Sequence, residues 1–156
     1  MRVLLVAALV LLATLWAGSL WAWPEPGGPG AVEWLLQPVL ALLVTPAIAW
    51  DAASDARLRF ANFPGKDELR ALPPERRESV MRWVRGLLYS AALHLNVVLC
   101  VVQYGIHRTA QGHDTTTFWV FALVGLSIGS LVVLVPWVPR IQDEIERQQG
   151  VRPPIG

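Results

Sequence analysis

Hydrophobic positions in this chain come in long unbroken blocks rather than in alternation, and the blocks are separated by short polar connections. Four blocks, at 3–23, 34–50, 83–104 and 118–138, approach the roughly 20 mostly apolar residues needed to cross a bilayer as a helix. None carries Asp, Glu, Lys or Arg well inside it. The second block is short and holds Pro38 and Pro46, so it is expected to extend by a turn at its start and to bend at the prolines. The pattern predicts an all-α integral membrane protein, a four-helix bundle forming a single domain.

The polar stretches sharpen these limits. The connection 51–82 is the one sizeable polar segment; Asn62, Pro64 and Gly65 interrupt its first half, with Phe60 and Phe63 as apolar anchors. Pro73-Pro74 then suits the first turn of a helix, where the missing N–H has no partner anyway, and Glu75 sits at the positive end of its dipole. One long helix over 74–104 follows, its first turns outside the apolar layer. After the fourth block, 139–156 reads as a polar tail. Seven of the eight tryptophans (Trp21, Trp23, Trp34, Trp50, Trp83, Trp119 and Trp137) fall at block ends, the headgroup level that indole prefers; Trp16 alone lies inside a block.

Charge sets an orientation. The connection after the first block has no lysine or arginine and the one after the third has only Arg108. The connection 51–82 instead holds Arg57, Arg59, Lys66, Arg70, Arg76, Arg77 and Arg82, and the tail holds Arg140, Arg147 and Arg152. By the positive-inside rule both termini and the middle connection face the cytoplasm. Residues 1–19 also resemble a signal peptide with a small-residue site at Ala17-Gly18-Ser19, but the apolar run continues past that site to Trp21 and Trp23, which favours a retained first helix.

Composition agrees with the pattern: 54% of residues are hydrophobic and 16% charged, against about 25% charged in soluble domains. Net charge is +1, without the concentrated basic patch of a nucleic-acid partner. Twelve arginines to one lysine suggest a GC-rich bacterial source and hence a bacterial cytoplasmic (inner) membrane. Cys100 is the only cysteine, so no intrachain disulfide forms.

Candidate chemistry is confined to a few polar side chains inside apolar blocks. At 100° per residue, Tyr89, Asn96, Cys100, Gln103 and His107 share one helical stripe, while Ser90 and His94 share another with Trp83 and Leu87. His94 and Asn96 therefore point to nearly opposite sides and belong to no common site. Asn96 and Gln103 are expected to bond neighbouring helices, with a polar ligand cavity as the alternative. His94 is an intramembrane polar position where a proton relay or haem ligation is conceivable, and a neutral ring bonded to Ser90 or a backbone carbonyl is the expectation. His107, His113 and Asp114 match no closed zinc pattern. Gly125 and Gly129 form a GxxxG match, a surface for close helix packing. No nucleophile elbow, phosphate loop or carboxylate pair occurs, so neither catalysis nor a cofactor is expected.

A proline-bearing second block, Pro38, precedes Asn62-x-Pro64, then Pro74-Glu75-x-Arg77-Glu78, and finally Gln103-Tyr104 with Ala110-x-Gly112. This succession resembles small bacterial membrane proteins carrying the uncharacterised domain found at the N-terminal end of the SdpI toxin-immunity protein. Here the stretch "WPEPGGPGAVEW" lacks the histidine and Asp-Trp of that family's first loop. The resemblance implies a membrane-protein class. The expected function is non-enzymatic contact, within the bilayer, with membrane partners, other copies or envelope-active peptides. The alternatives are an oligomeric transporter or channel subunit, and a haem- or quinone-linked redox subunit resting on His94.

Overall fold

A computed structural model describes residues 2–21, 31–53 and 65–150. Trp23, Arg57, Arg59, Phe60, Asn62, Phe63, Pro64 and the residues after Gly150 lie outside the described residues. Among those described, every regular element is a helix: α1 (Arg2–Trp21), α2 (Ala31–Ala53), α3 (Lys66–Ala71), α4 (Pro74–Ala110), α5 (Thr116–Leu134) and α6 (Trp137–Gln149). Three stretches are long and apolar enough to cross a membrane: Val3–Leu20, α4, and the run Thr116–Gln149 that α5 opens. In α2 the apolar stretch is shorter, Leu35–Trp50. Apolar side chains cover the outside, among them Phe121, Leu123, Leu131 and Val132 of α5, as befits a chain whose solvent is lipid.

The long helix starts at Pro74, as the Pro73-Pro74 pair dictates, but runs on to Ala110 rather than stopping at 104. Gly105 does not break it, because the glycine is buried against Phe118 and Trp119 of α5. This 37-residue helix is the axis of the fold. It packs against α1 and α2 on one side and against α5 and α6 on the other, with α3 near its start. Helices α1 and α4 run one way, α2 and α5 the other.

Within the polar stretch expected as a tail over 139–156, the structure places a further helix. Pro136 cannot donate to the carbonyl one turn back, so α5 ends at Leu134 and the chain re-enters a helix at Trp137. Helix α6 is amphipathic and turns its apolar side inward. Ile141 and Ile145 join Leu69 and Leu72 of the α3 segment and Val80, Met81 and Val84 of α4 in one buried cluster, edged by Trp83, Leu87 and Trp137. Arg140 lies 5.9 Å from the centres of both Trp83 and Trp137, a cation held over two aromatic faces. Gly65 opens α3 in the left-handed region at φ 89°, where a side chain would also meet Ile145 Cδ1 at 2.8 Å.

Basic residues read as orientation signals have a second use here. Helix C-termini leave carbonyls without intrahelical partners, and cations are favoured there. Arg85 Nε donates to the Ala52 carbonyl at the end of α2 (3.1 Å). Arg77 donates to the carbonyls of Leu72 (2.6 Å) and Arg70 (2.7 Å) at the end of α3. Arg76 donates to the Gln148 carbonyl at the end of α6 (2.6 Å). Three arginines of α4 thus close three different helices. Arg85 also grips Glu78 through both guanidinium nitrogens (2.6 and 3.2 Å), which draws that carboxyl below its ordinary range. Glu144 of α6 is buried, which pushes its pKa up, but hydrogen bonds from Arg147, Ser79 and Gln148 outweigh that and leave it below the ordinary carboxylate value.

Candidate functional site

Seen along α4, the two sides of the helix are pinned by different polar residues. Asn96, fully buried, faces α1 and α2. Thr45 Oγ1 donates to Asn96 Oδ1 at 3.1 Å, and Asn96 Nδ2 donates to the Ala8 carbonyl at 3.0 Å. A carbonyl only accepts, so the amide nitrogen must point at Ala8, which fixes the amide's orientation. His94 faces α5 instead, with Nε2 2.7 Å from Ser130 Oγ. The Ser130 hydroxyl already donates to the Leu126 carbonyl (2.8 Å). With that proton given to Leu126, the Ser130 oxygen is the acceptor of the contact with His94, which assigns the Nε2–H tautomer as the one that completes the network. The serine that His94 bonds is Ser130 rather than the expected Ser90, which is buried one turn back on the same helix.

Two residues of α4 rise only about 3 Å, so these bonds lie at nearly one level. At that level α4 is tied to α1, α2 and α5 by side-chain hydrogen bonds. The arrangement is a polar waist across the middle of the apolar layer.

The start of α5 and the start of α6 are held against α4 by a different device. Gly86 receives the Trp137 ring and Gly105 receives Trp119 and Phe118; an added Cβ would come within 2.5 Å of Trp137 Cη2 and of Trp119 Cη2. The two glycines are 19 residues apart and the two tryptophans 18, so one antiparallel register serves both notches with His94 and Ser130 between them. Of the GxxxG pair, Gly129 packs on α4, where a Cβ would lie 3.4 Å from His94 Cε1. Gly125 is exposed, with nothing within 4 Å of where its Cβ would be. The motif is therefore only half used inside the chain.

Gln103 departs from Asn96 although the two share a stripe. It is buried, 7% exposed, and neither its amide nitrogen nor its amide oxygen has a hydrogen-bond partner. It lines a groove of about 240 Å³ between α1 and α4, with Thr14, Leu15, Gly18, Cys100, Tyr104 and His107. Among the described residues, two further buried polar atoms lack partners, Trp16 Nε1 and Gln37 Oε1. The tie from Thr45 to Asn96 and that from Arg85 to Ala52 set α2 antiparallel to α4, which brings Gln37 toward the level of Gln103. Trp16 and Gln103 lie eight and seven residues beyond Ala8 and Asn96 respectively, in the same direction. The α1–α2–α4 junction therefore has one polar level that is satisfied and a second, roughly 10 Å further along, that is not.

Beyond that level, His107 Nε2 lies 3.0 Å from Gln111 Nε2, and Asp114 accepts from the Thr116 backbone N–H (2.9 Å) at the start of α5. That bond draws the Asp114 carboxyl below its ordinary range. Among the described residues, His107, His113 and Asp114 form no group of three or more metal-binding side chains. Sequence reasoning did not single out Thr45, Ser130 or Gln37. Each is a lone polar residue in an apolar run; Thr45 adjoins Pro46, expected to bend its helix, and Ser130 adjoins Gly129, marked for helix packing.

Comparison with known protein families, with curated proteins and with solved structures finds no match in any of the three.

Proposed function

We propose that this chain is a non-enzymatic protein of the bacterial cytoplasmic membrane that works by helix-to-helix contact with a membrane partner, an envelope-active peptide or another copy. It crosses the bilayer four times, through α1, α2, α4 and α5, with both termini in the cytoplasm. The alternating directions of these helices support four crossings, and the arginine-rich end formed by α3, α6 and the start of α4 supports the orientation. Retention of α1 is supported by the bond from Asn96 to its Ala8 carbonyl. Reporter fusions at Gly28, Lys66, Gln111 and the C-terminus are expected to report outside, inside, outside and inside; a cytoplasmic signal at Gln111 would sink the topology.

One observation carries the contact reading. Helix α5 has no buried residue, and its exposed face holds Gly125, where nothing fills the space a side chain would occupy. Lipid chains need no such notch, whereas a second helix uses one to bring backbones close. Replacing Gly125 with leucine is expected to leave the unfolding temperature nearly unchanged, since nothing in the chain is displaced. It should strip partners, or other copies, captured by mild cross-linking from native membranes. Identical capture from wild type and variant would reject the reading.

The alternative, an oligomeric transporter or channel subunit, rests on His94 and Gln103; His94 spends its Nε2 bond within the chain, whereas Gln103 does not.

A further inference from the structure

Buried polar groups in an apolar layer are expensive unless bonded, on the order of several kcal/mol each in hydrocarbon. The chain obeys this rule at Asn96, Thr45, His94 and Ser130, which all find partners. It departs from it one level further along, at Gln103, Gln37 and Trp16. Gln103 is the extreme case, with a donor and an acceptor both unmatched on one amide. It also lines a groove.

The groove's chemistry narrows what would match it. Gln103 asks for a group that both donates and accepts. No Asp, Glu, Lys or Arg lines the walls, so a charged head would lack a counter-charge. With two glutamine oxygens at this level and no carboxylate, a metal cation is poorly served. Apart from the polar Thr14 and His107, the remaining walls, Leu15, Gly18, Cys100 and the flank of Tyr104, suit a hydrocarbon chain. The volume of about 240 Å³ is below the roughly 300–1,000 Å³ of drug-sized sites, which favours one chain over two.

We infer that the groove between α1 and α4 binds an uncharged single-chain amphiphile, such as a monoacylglycerol. Its hydroxyl-bearing head exchanges hydrogen bonds with the Gln103 amide, and its chain lies between Leu15–Gly18 and Cys100–Tyr104. The site is on the side of α4 away from α5, so it stands or falls separately from the contact surface at Gly125.

Cys100 provides the readout, being the only cysteine and half-buried in the groove wall. The full chain is placed in phosphatidylcholine nanodiscs, 1-monoolein is titrated in, and alkylation of Cys100 by N-ethylmaleimide is followed. Alkylation is expected to slow saturably. Hexadecane, with a chain but no head, should protect far less. Gln103→Leu should raise the half-protecting concentration at least about fivefold, the factor carried by one ordinary hydrogen bond. Its unfolding temperature should hold or rise, because an unmatched amide is removed. Gly18→Leu, at a position with open space around its Cβ, should fill the groove, slow alkylation without any lipid, and abolish the further effect of monoolein. Should Cys100 resist the reagent throughout, a photoactivatable 1-monoacylglycerol mapped by mass spectrometry must label 14–18 or 100–107. The inference is overturned if saturating monoolein leaves a measurable alkylation rate unchanged, if hexadecane protects equally, if Gln103→Leu keeps full protection, or if the photolabel lands elsewhere.

Discussion

Replacing Asn96 with leucine is expected to destabilise the fold by about 1–3 kcal/mol, measured by thermal or SDS-driven unfolding. Two interhelical bonds are lost, each worth roughly 0.6–2 kcal/mol in a membrane. The upper end is not reached, because the Thr45 hydroxyl can turn to a backbone carbonyl one turn back in α2. Leucine keeps the number and branching of the side-chain heavy atoms but is bulkier, so part of the loss reports overpacking at this fully buried position. A second reading isolates the cause: Thr45→Val in the Asn96→Leu background should add little, whereas Thr45→Val alone should be clearly destabilising. Equal, additive losses from the two changes would show that the residues do not act through each other.

Gly105→Val should also be destabilising, by about 1–3 kcal/mol, the usual range for overpacking. The direction is informative because valine forms helix more readily than glycine; on an isolated helix the change would stabilise. Here its Cβ would meet Trp119 Cη2 at 2.5 Å and Phe118 Cε1 at 2.7 Å, and α5 must shift to admit it. Trp119→Ala should recover much of the loss in the double variant, although on its own it removes packing. Gly105→Val that is neutral in unfolding experiments would mean that α5 is not seated in this notch.

Much of the framework was legible in the sequence because it follows from local rules. Apolar run length located α1, α2 and α5 to within a few residues, and Pro73-Pro74 marked the start of α4. Helical periodicity placed His94 and Asn96 on opposite sides of that helix, which is how they stand. The end of α4 was not legible, since whether Gly105 ends a helix depends on what packs against it, here Trp119 from a distant part of the chain. Nor was Ser130 legible as the partner of His94, or Thr45 as that of Asn96, because pairing across helices needs the register of α2 and α5 against α4. Helix α6 left a readable signal in Trp137, Ile141 and Ile145, four residues apart, masked by the Pro136 and Pro139 around its start. The contrast between Asn96 and Gln103 was the least accessible of all: one stripe, two fates, decided by whether a neighbouring helix happens to present a partner at that height.

The arginine caps bear on the order in which the chain is made. Translation releases α3 and α4 well before α6, so Leu69, Leu72, Val80 and Val84 emerge without the isoleucines that later cover them. Arg76 likewise waits for the Gln148 carbonyl, which follows α5 in the chain. Until then the first turns of α4 have an apolar side covered only by Leu69 and Leu72, next to a membrane that can shelter it. The thirteen-residue α6 therefore completes this cluster only after the apolar helices before it have left the ribosome.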